Sequence, residues 1–115
     1  MMKKGIGIDI VKISRFREKK YLANKKFYEN IFAENEIKYC LKYKDPYPHF
    51  AGRFAAKEAI IKATDTKMKM NQIIIKNKTN GLEIKIKNVL NPNILVSISH
   101  EKDYAIAMSI ISEYI

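Results

Sequence analysis

The spacing of apolar residues changes period along this chain, and each change marks an element. Residues 4–12 alternate, with Ile6, Ile8 and Ile10 on one face and Gly5, Gly7, Asp9 and Val11 on the other, which is the period of a half-buried strand. On this reading Asp9 looks out across a surface cleared by two glycines, and glycine inside a strand often marks close approach of a ligand or a second backbone. Ser14 suits an N-cap, so a short helix is expected over 15–23. Residues 27–32 are aromatic and apolar and predict a helical turn that plugs the core. A further helix is expected over about 34–44, with Ile37, Cys40 and Leu41 inward and Lys38, Lys42 and Lys44 outward. The prolines at 46 and 48 end it.

Residues 50–63 read as the helix around which the chain is organised. At about 100° per residue, Phe50, Ala51, Phe54, Ala55, Ala59 and Ile61 share one broad face, and Glu58 and Lys62 fall inside it. Arg53 and Lys57 lie on the other side. A carboxylate among small and aromatic side chains needs a cation. An i,i+4 pair with Lys62 is the plain solution, contributing about 0.2–0.5 kcal/mol; a metal or phosphate site is the alternative. From residue 65 the period changes again. A β-branched run over 72–76, the tight-turn signal Asn80-Gly81 and alternation over 82–87 predict a hairpin. After a turn at 88–93, segments 94–99 and 104–111 predict a second one. His100 then stands at the mouth of a strand beside Ser97 and Ser99. No repeat, linker or low-complexity tract interrupts the pattern, so 1–115 reads as one domain.

A formal net charge of +10, from 22 basic and 12 acidic residues, points to an anionic partner: nucleic acid, an acidic protein or a polyphosphate. Only Arg15, Arg17 and Arg53 are arginines, and the lysines are scattered. The aromatics fall at buried spacing with no RNP-type run, so nucleic acid is not the expected partner. Cys40, the single cysteine, sits at helical spacing with Ile37 and Leu41 and reads as a buried apolar side chain. No apolar run is long enough to span a membrane, and Met1-Met-Lys-Lys4 leads into no signal-peptide pattern, so a cytoplasmic protein is expected. A dinucleotide fingerprint fails, because Ile10 occupies the third glycine position.

Asp9 on a strand and Glu58 on a helix are the hard oxygen donors that Mg²⁺ takes. Only two protein carboxylates leave room in its shell for water and for phosphates of a substrate. Lys62, one turn beyond Glu58, would neutralise such phosphates, and Lys12, Arg15 and Lys19 form a basic stripe. A phosphohydrolase would use the same groups but needs a water placed as nucleophile.

Three blocks carry a resemblance. Gly5-Ile-Gly-Ile-Asp-Ile-Val-Lys-Ile-Ser-Arg-Phe16 is the first, and Phe50-Ala-Gly-Arg-Phe-Ala-Ala-Lys-Glu-Ala59 with Lys62-Ala63 the second. Val96-Ser-Ile-Ser-His100 followed by Asp103-Tyr-Ala-Ile-Ala107 is the third. In this order they resemble the signature blocks of the bacterial holo-acyl-carrier-protein synthases, a family of 4′-phosphopantetheinyl transferases. The likeness covers residues 4–64 and 94–110 and fades between, where Thr64-Asp-Thr-Lys-Met-Lys-Met70 replaces a common Gly-Thr-Gly turn.

The resemblance implies an α+β fold, an antiparallel sheet packed on a central long helix with shorter helices. It also implies a homotrimer with active sites between neighbouring chains and the carboxyl-terminal hairpin at the three-fold contact. The implied reaction transfers the 4′-phosphopantetheine arm of coenzyme A to a serine of apo acyl carrier protein in fatty acid biosynthesis, releasing adenosine 3′,5′-bisphosphate. By matching positions, Asp9 and Glu58 would hold Mg²⁺ against the pyrophosphate and Lys62 would sit on the phosphates. The serine proton would pass to a metal-activated water or to Glu58. Arg53, with Lys42, Lys44, Ser99 and His100, would line the coenzyme A groove. Arg15, within the Lys12-Arg15-Lys19 stripe, would engage the acidic carrier.

Overall fold

The longest helix, α4 (Tyr47–Thr64), is buried along nearly its whole length, and the rest of the chain is wrapped on it. The computed structural model describes residues 5–112; Met1 to Lys4, weighed above as the start of a signal peptide, lie outside the described residues. Strand β1 (Ile6–Lys12) leads through the single turn α1 (Ser14–Arg17) and a 3₁₀ turn at Tyr21–Ala23 to α2 (Lys25–Glu29) and α3 (Glu34–Leu41). After α4 come β2 (Ile73–Lys78), β3 (Gly81–Ile86), β4 (Val89–Leu90), β5 (Ile94–His100) and β6 (Tyr104–Ile111). Two antiparallel three-stranded sheets result, ordered β1-β6-β5 and β2-β3-β4. Both predicted hairpins form, β2 with β3 and β5 with β6. The opening strand closes the first sheet by pairing with the last one, Ile6 opposite Ile110 and Lys12 opposite Tyr104.

Helix α4 starts earlier than expected. Pro46 caps it and Pro48 sits in its first turn, where a missing N–H costs nothing. It crosses the first sheet at close range because two glycines remove the obstacle. A Cβ on Gly52 would come within 2.9 Å of Ile98 Cγ2, and one on Gly7 would collide with the Ala59 carbonyl and lie 2.8 Å from Ala63 N. Ala51, Ala55, Ala59 and Ala63 are fully buried along the helix. An aromatic group packs at its start, with the ring centres of Tyr28 and Phe32 4.6 and 5.1 Å from that of Phe50. The expectation that residues 27–32 plug the core is met by Tyr28, Ile31 and Phe32.

Four readings need correction. The Gly7, Asp9 and Val11 side of β1 packs inward against α4, while Ile6, Ile8 and Ile10 are 58, 55 and 61% exposed. The isoleucines looked like the core face because they are the larger apolar side chains; the helix chose the face without a Cβ. Ser14 is not an N-cap, since Ile13 holds that place with no side-chain bond, and the first helix is one turn long. Leu41 is 42% exposed; Ile37, Cys40 and Glu36 are the buried residues of α3. Burial pushes the Cys40 thiol up to about 12, consistent with its reading as an unreactive core side chain.

The fourth correction concerns Lys57, expected on an outer face of the helix and found wholly buried. Its ammonium donates to Glu36 Oε1 at 2.6 Å, to the Ile31 carbonyl at 2.7 Å and to the Met70 carbonyl at 3.1 Å. Glu36 also accepts the Ala33 N–H at Oε1 and the Ile75 N–H at Oε2. One ion pair thus ties α3, α4 and β2 together with every donor matched, the condition under which a buried charge is tolerated. Burial holds the Lys57 ammonium below the usual lysine range, partly offset by the Glu36 charge. Covered by a sheet on one side and by α3 and β2 on the other, the helix keeps only a narrow partly exposed stripe, at Phe54, Glu58, Ile61 and Lys62.

Candidate functional site

Asp9 and Lys62 meet at the crossing of β1 and α4. The backbone approach allowed by Gly7 brings the last turns of the helix over the strand, and Lys62 Nζ reaches Asp9 Oδ1 at 3.2 Å and the Ile8 carbonyl at 2.9 Å. The Asp9 side chain is largely covered while that of Lys62 is half exposed. Glu58 lies one turn earlier on α4 and is half buried. The i,i+4 pair of Glu58 with Lys62 does not form; the lysine has crossed to the strand acid, and Glu58 has no hydrogen-bond or ion-pair partner among the described residues. A cleft of about 230 Å³ opens here, lined by Ile8, Asp9, Ile10, Lys62 and Ile106. Among the described residues no three His, Cys, Asp or Glu side chains gather as a metal cluster, so any divalent cation here would rely on two carboxylates and on its substrate.

Arg53 and His100 meet elsewhere, in a cavity of about 360 Å³ between α4, α3, β2 and β5. Arg53, only 4% exposed, was expected on the outer side of the helix with Lys57. Its Nη2 donates to Asn77 Oδ1 at 2.6 Å, and its guanidinium lies 4.6 Å from the centre of the Tyr39 ring. Its Nη1 is buried with no acceptor. Ser99 does not face this cavity. It pairs with Ile106 and stands on the outer side of the sheet, while Lys42 and Lys44 are exposed in the connection from α3 to α4.

The expected basic stripe spans three pieces of backbone rather than one helix: Lys12 ends β1, Arg15 lies on α1 and Lys19 follows it. All three are exposed, and two rest on aromatic rings, Arg15 on Phe54 at 5.1 Å and Lys19 on Phe27 at 5.0 Å. These contacts hold the cations at the surface without neutralising them.

Sequence reasoning missed Glu36, Tyr39, His49 and Asn77. Tyr39, His49 and Asn77 border the Arg53 cavity from three elements. No spacing links positions 39, 49 and 77, so only the folded chain assembles them. Glu36 carried a local signal, three residues after the helix cap, as in a capping box.

A family model described as the 4′-phosphopantetheinyl transferase superfamily matches residues 5–109. The holo-[acyl-carrier-protein] synthase of Thermodesulfovibrio yellowstonii is 40% identical over 114 residues, covering 96% of this chain and all of that one. The enzyme of the same name from a Geobacillus species is 45% identical over 113 residues, covering 93% and 94%. Among solved structures, a Bacillus anthracis holo-(acyl-carrier-protein) synthase in complex with CoA (3′,5′-ADP) superposes with a TM-score of 0.79 at 32% identity, covering 96% of this chain and 97% of that one. A Helicobacter pylori counterpart in complex with coenzyme A superposes at 0.78 and 31% identity, covering 93% and 99%.

Proposed function

Because this chain belongs to the 4′-phosphopantetheinyl transferase superfamily, we propose that the crossing of β1 and α4 is the catalytic centre of a holo-acyl-carrier-protein synthase. The enzyme transfers the 4′-phosphopantetheine group of coenzyme A to a serine of apo acyl carrier protein. A bond forms between the serine oxygen and the phosphorus that carries the pantetheine arm. The bond from that phosphorus to the bridging oxygen breaks, and adenosine 3′,5′-bisphosphate departs.

The observation that carries the assignment of residues is the reach of Lys62 across to Asp9, with Glu58 left unpaired one turn away. That donor set fits Mg²⁺: two hard carboxylates, one without a competing partner and the other held by a half-exposed, flexible cation. Bound there, the ion would polarise the transferred phosphoryl group and offset charge on the departing bisphosphate. Lys62, released from Asp9, lies on the phosphates, its stem directed along β1 by the Ile8 carbonyl. Glu58 either accepts the serine proton itself or orients the water that does.

Arg53 and His100 line the coenzyme A groove, with Lys42 and Lys44 contributing from its rim; Ser99, on the outer side of the sheet, takes no part in it. Arg15, flanked by Lys12 and Lys19, engages the acidic carrier, in cytoplasmic fatty acid biosynthesis. The chain assembles as a homotrimer with active sites between neighbours. The support for this assembly is the outer face of the first sheet, where Ile6, Ile8 and Ile10 stand opposite Ile110, Met108 and Ile106, all substantially exposed.

The test is incubation of an apo carrier with coenzyme A and Mg²⁺, read by intact mass. The carrier gains the phosphopantetheine arm, and a chelator stops the gain. Glu58→Gln keeps its circular dichroism but slows transfer by at least about a hundredfold. Equal turnover of that variant and the native chain would dismiss Glu58 from the centre.

A further inference from the structure

Three cations meet around a cavity that the proposed reaction does not use. It encloses about 340 Å³ at one end of the first sheet and is lined by Lys12 at the end of β1, Ser14 and Arg17 on α1, and Lys102, Asp103 and Tyr104 at the turn into β6. That turn is pinned. The Asp103 carbonyl accepts the Ile13 N–H at 2.9 Å, and Glu101 Oε1 accepts the Asp103 and Tyr104 N–H groups at 2.6 and 2.8 Å. Those N–H bonds, more than the Lys102 charge, hold the Glu101 carboxyl below its usual range, so this acid is committed to the turn. Neither Lys12 nor Lys102 makes an ion pair among the described residues, and Asp103 is the single acid of the lining.

Arg17 has a partner, and an exchangeable one. Its Nη1 reaches Asp45 Oδ2 at 2.7 Å, in the connection ahead of α4, with the two side chains 41 and 48% exposed. Water screens a pair of this kind and its net contribution is small, so a competing carboxylate can take the arginine. The single turn of α1 sends its two arginines apart, since residues two positions apart on a helix stand about 200° from each other. Arg15 lies over Phe54, one turn before Glu58, while Arg17 lines the cavity and reaches Asp45. The basic stripe expected from the sequence is thus two surfaces: Arg15 and Lys19 rest on aromatic rings, and Lys12 joins Arg17 and Lys102 around the cavity.

Resting on the reading of Arg15 as a carrier contact, we propose that this cavity is a second docking point for the acidic carrier, where one carrier carboxylate sits between Lys12, Arg17 and Lys102. Asp45 is its internal competitor. It holds Arg17 in the free protein and yields it when the carrier arrives. Contacts on both sides of α1 fix the carrier's orientation as well as its affinity, which a single cation cannot do.

The experiment measures, by fluorescence anisotropy at low and at high salt, the Kd of a labelled apo acyl carrier protein whose acceptor serine is replaced by alanine. Calorimetry gives the Kd of coenzyme A with Mg²⁺ present. The native chain is compared with Lys102→Glu, Arg17→Gln, Asp45→Asn, the double variant Arg17→Gln/Asp45→Asn and Arg15→Glu. At low salt Lys102→Glu weakens carrier binding about fivefold and Arg17→Gln about threefold, the scale of exposed ion pairs, and both losses shrink at high salt. Asp45→Asn tightens carrier binding about twofold, and the gain disappears once Arg17 is glutamine. A merely structural bridge would give Arg17→Gln and Asp45→Asn the same sign; docking gives them opposite signs. A gain from Asp45→Asn that survives in the double variant overturns the proposal, as does a larger loss for coenzyme A than for the carrier in Lys102→Glu and Arg17→Gln. If Arg15→Glu weakens carrier binding while Lys102→Glu and Arg17→Gln leave it intact, the carrier surface stands and the cavity is out. If none of the three weakens it, the carrier-surface assignment fails together with the proposal.

Discussion

Replacing Lys57 by methionine removes a cation from a place that water cannot reach. The side chains of Lys57 and Glu36 are both 0% exposed, so solvent does not discount the effect. The variant leaves a buried carboxylate with two backbone N–H donors but no countercharge, and takes the donor from the Ile31 and Met70 carbonyls. Breaking one side of a buried pair costs about 3–5 kcal/mol. Against a total stability of about 5–15 kcal/mol for a domain, that is a large share. It corresponds to a fall in melting temperature of about 10–20 °C. Urea and thermal unfolding followed by far-ultraviolet circular dichroism read both numbers, at one protomer concentration because association adds to apparent stability. Adding Glu36→Gln to Lys57→Met removes the stranded charge while an amide oxygen can still accept the Ile75 N–H. The double variant recovers about 1–3 kcal/mol relative to the single one. A Lys57→Met protein within about 1 kcal/mol of the native chain, or a double variant no better than the single, would refute the claim that this pair fastens α4 to α3 and β2.

Three further outcomes are expected. Gly7→Ala places a methyl group against the Ala59 carbonyl, so strand and helix must separate. Stability drops by about 2 kcal/mol or more, and transfer activity falls as Asp9 moves from Lys62; native-like unfolding and turnover would contradict the close approach. Arg15→Glu reverses an exposed charge and raises the KM for the carrier about tenfold with little change for coenzyme A, whereas a selective loss of coenzyme A affinity would remove Arg15 from the carrier surface. Ile8→Lys puts a charge in the middle of the exposed apolar face. Light scattering after size exclusion should show the proposed trimer replaced by monomer, and an unchanged trimer mass would mean that this face is not the contact.

The sequence by itself determined the local elements and the candidate chemistry. Alternation in 82–87 and 104–111, the Asn80-Gly81 turn and the proline pair at 46 and 48 fixed strands, hairpins and the region where α4 begins, because each depends on neighbours a few residues away. Asp9, Glu58 and Lys62 were identifiable as acids and a base placed against the local pattern. Tertiary structure alone decided which side of β1 faces inward. Alternation shows that two faces differ, but a helix can press closest to the face that lacks a Cβ, and Gly7 supplied it. It also decided that Lys57 is a core residue, since its partner Glu36 is 21 positions away, and that Tyr39 and Asn77 share a cavity with Arg53. Those outcomes follow from pairing the first strand with the last and from covering α4 on both sides. Long-range packing of that kind leaves no periodic trace in the residues it brings together.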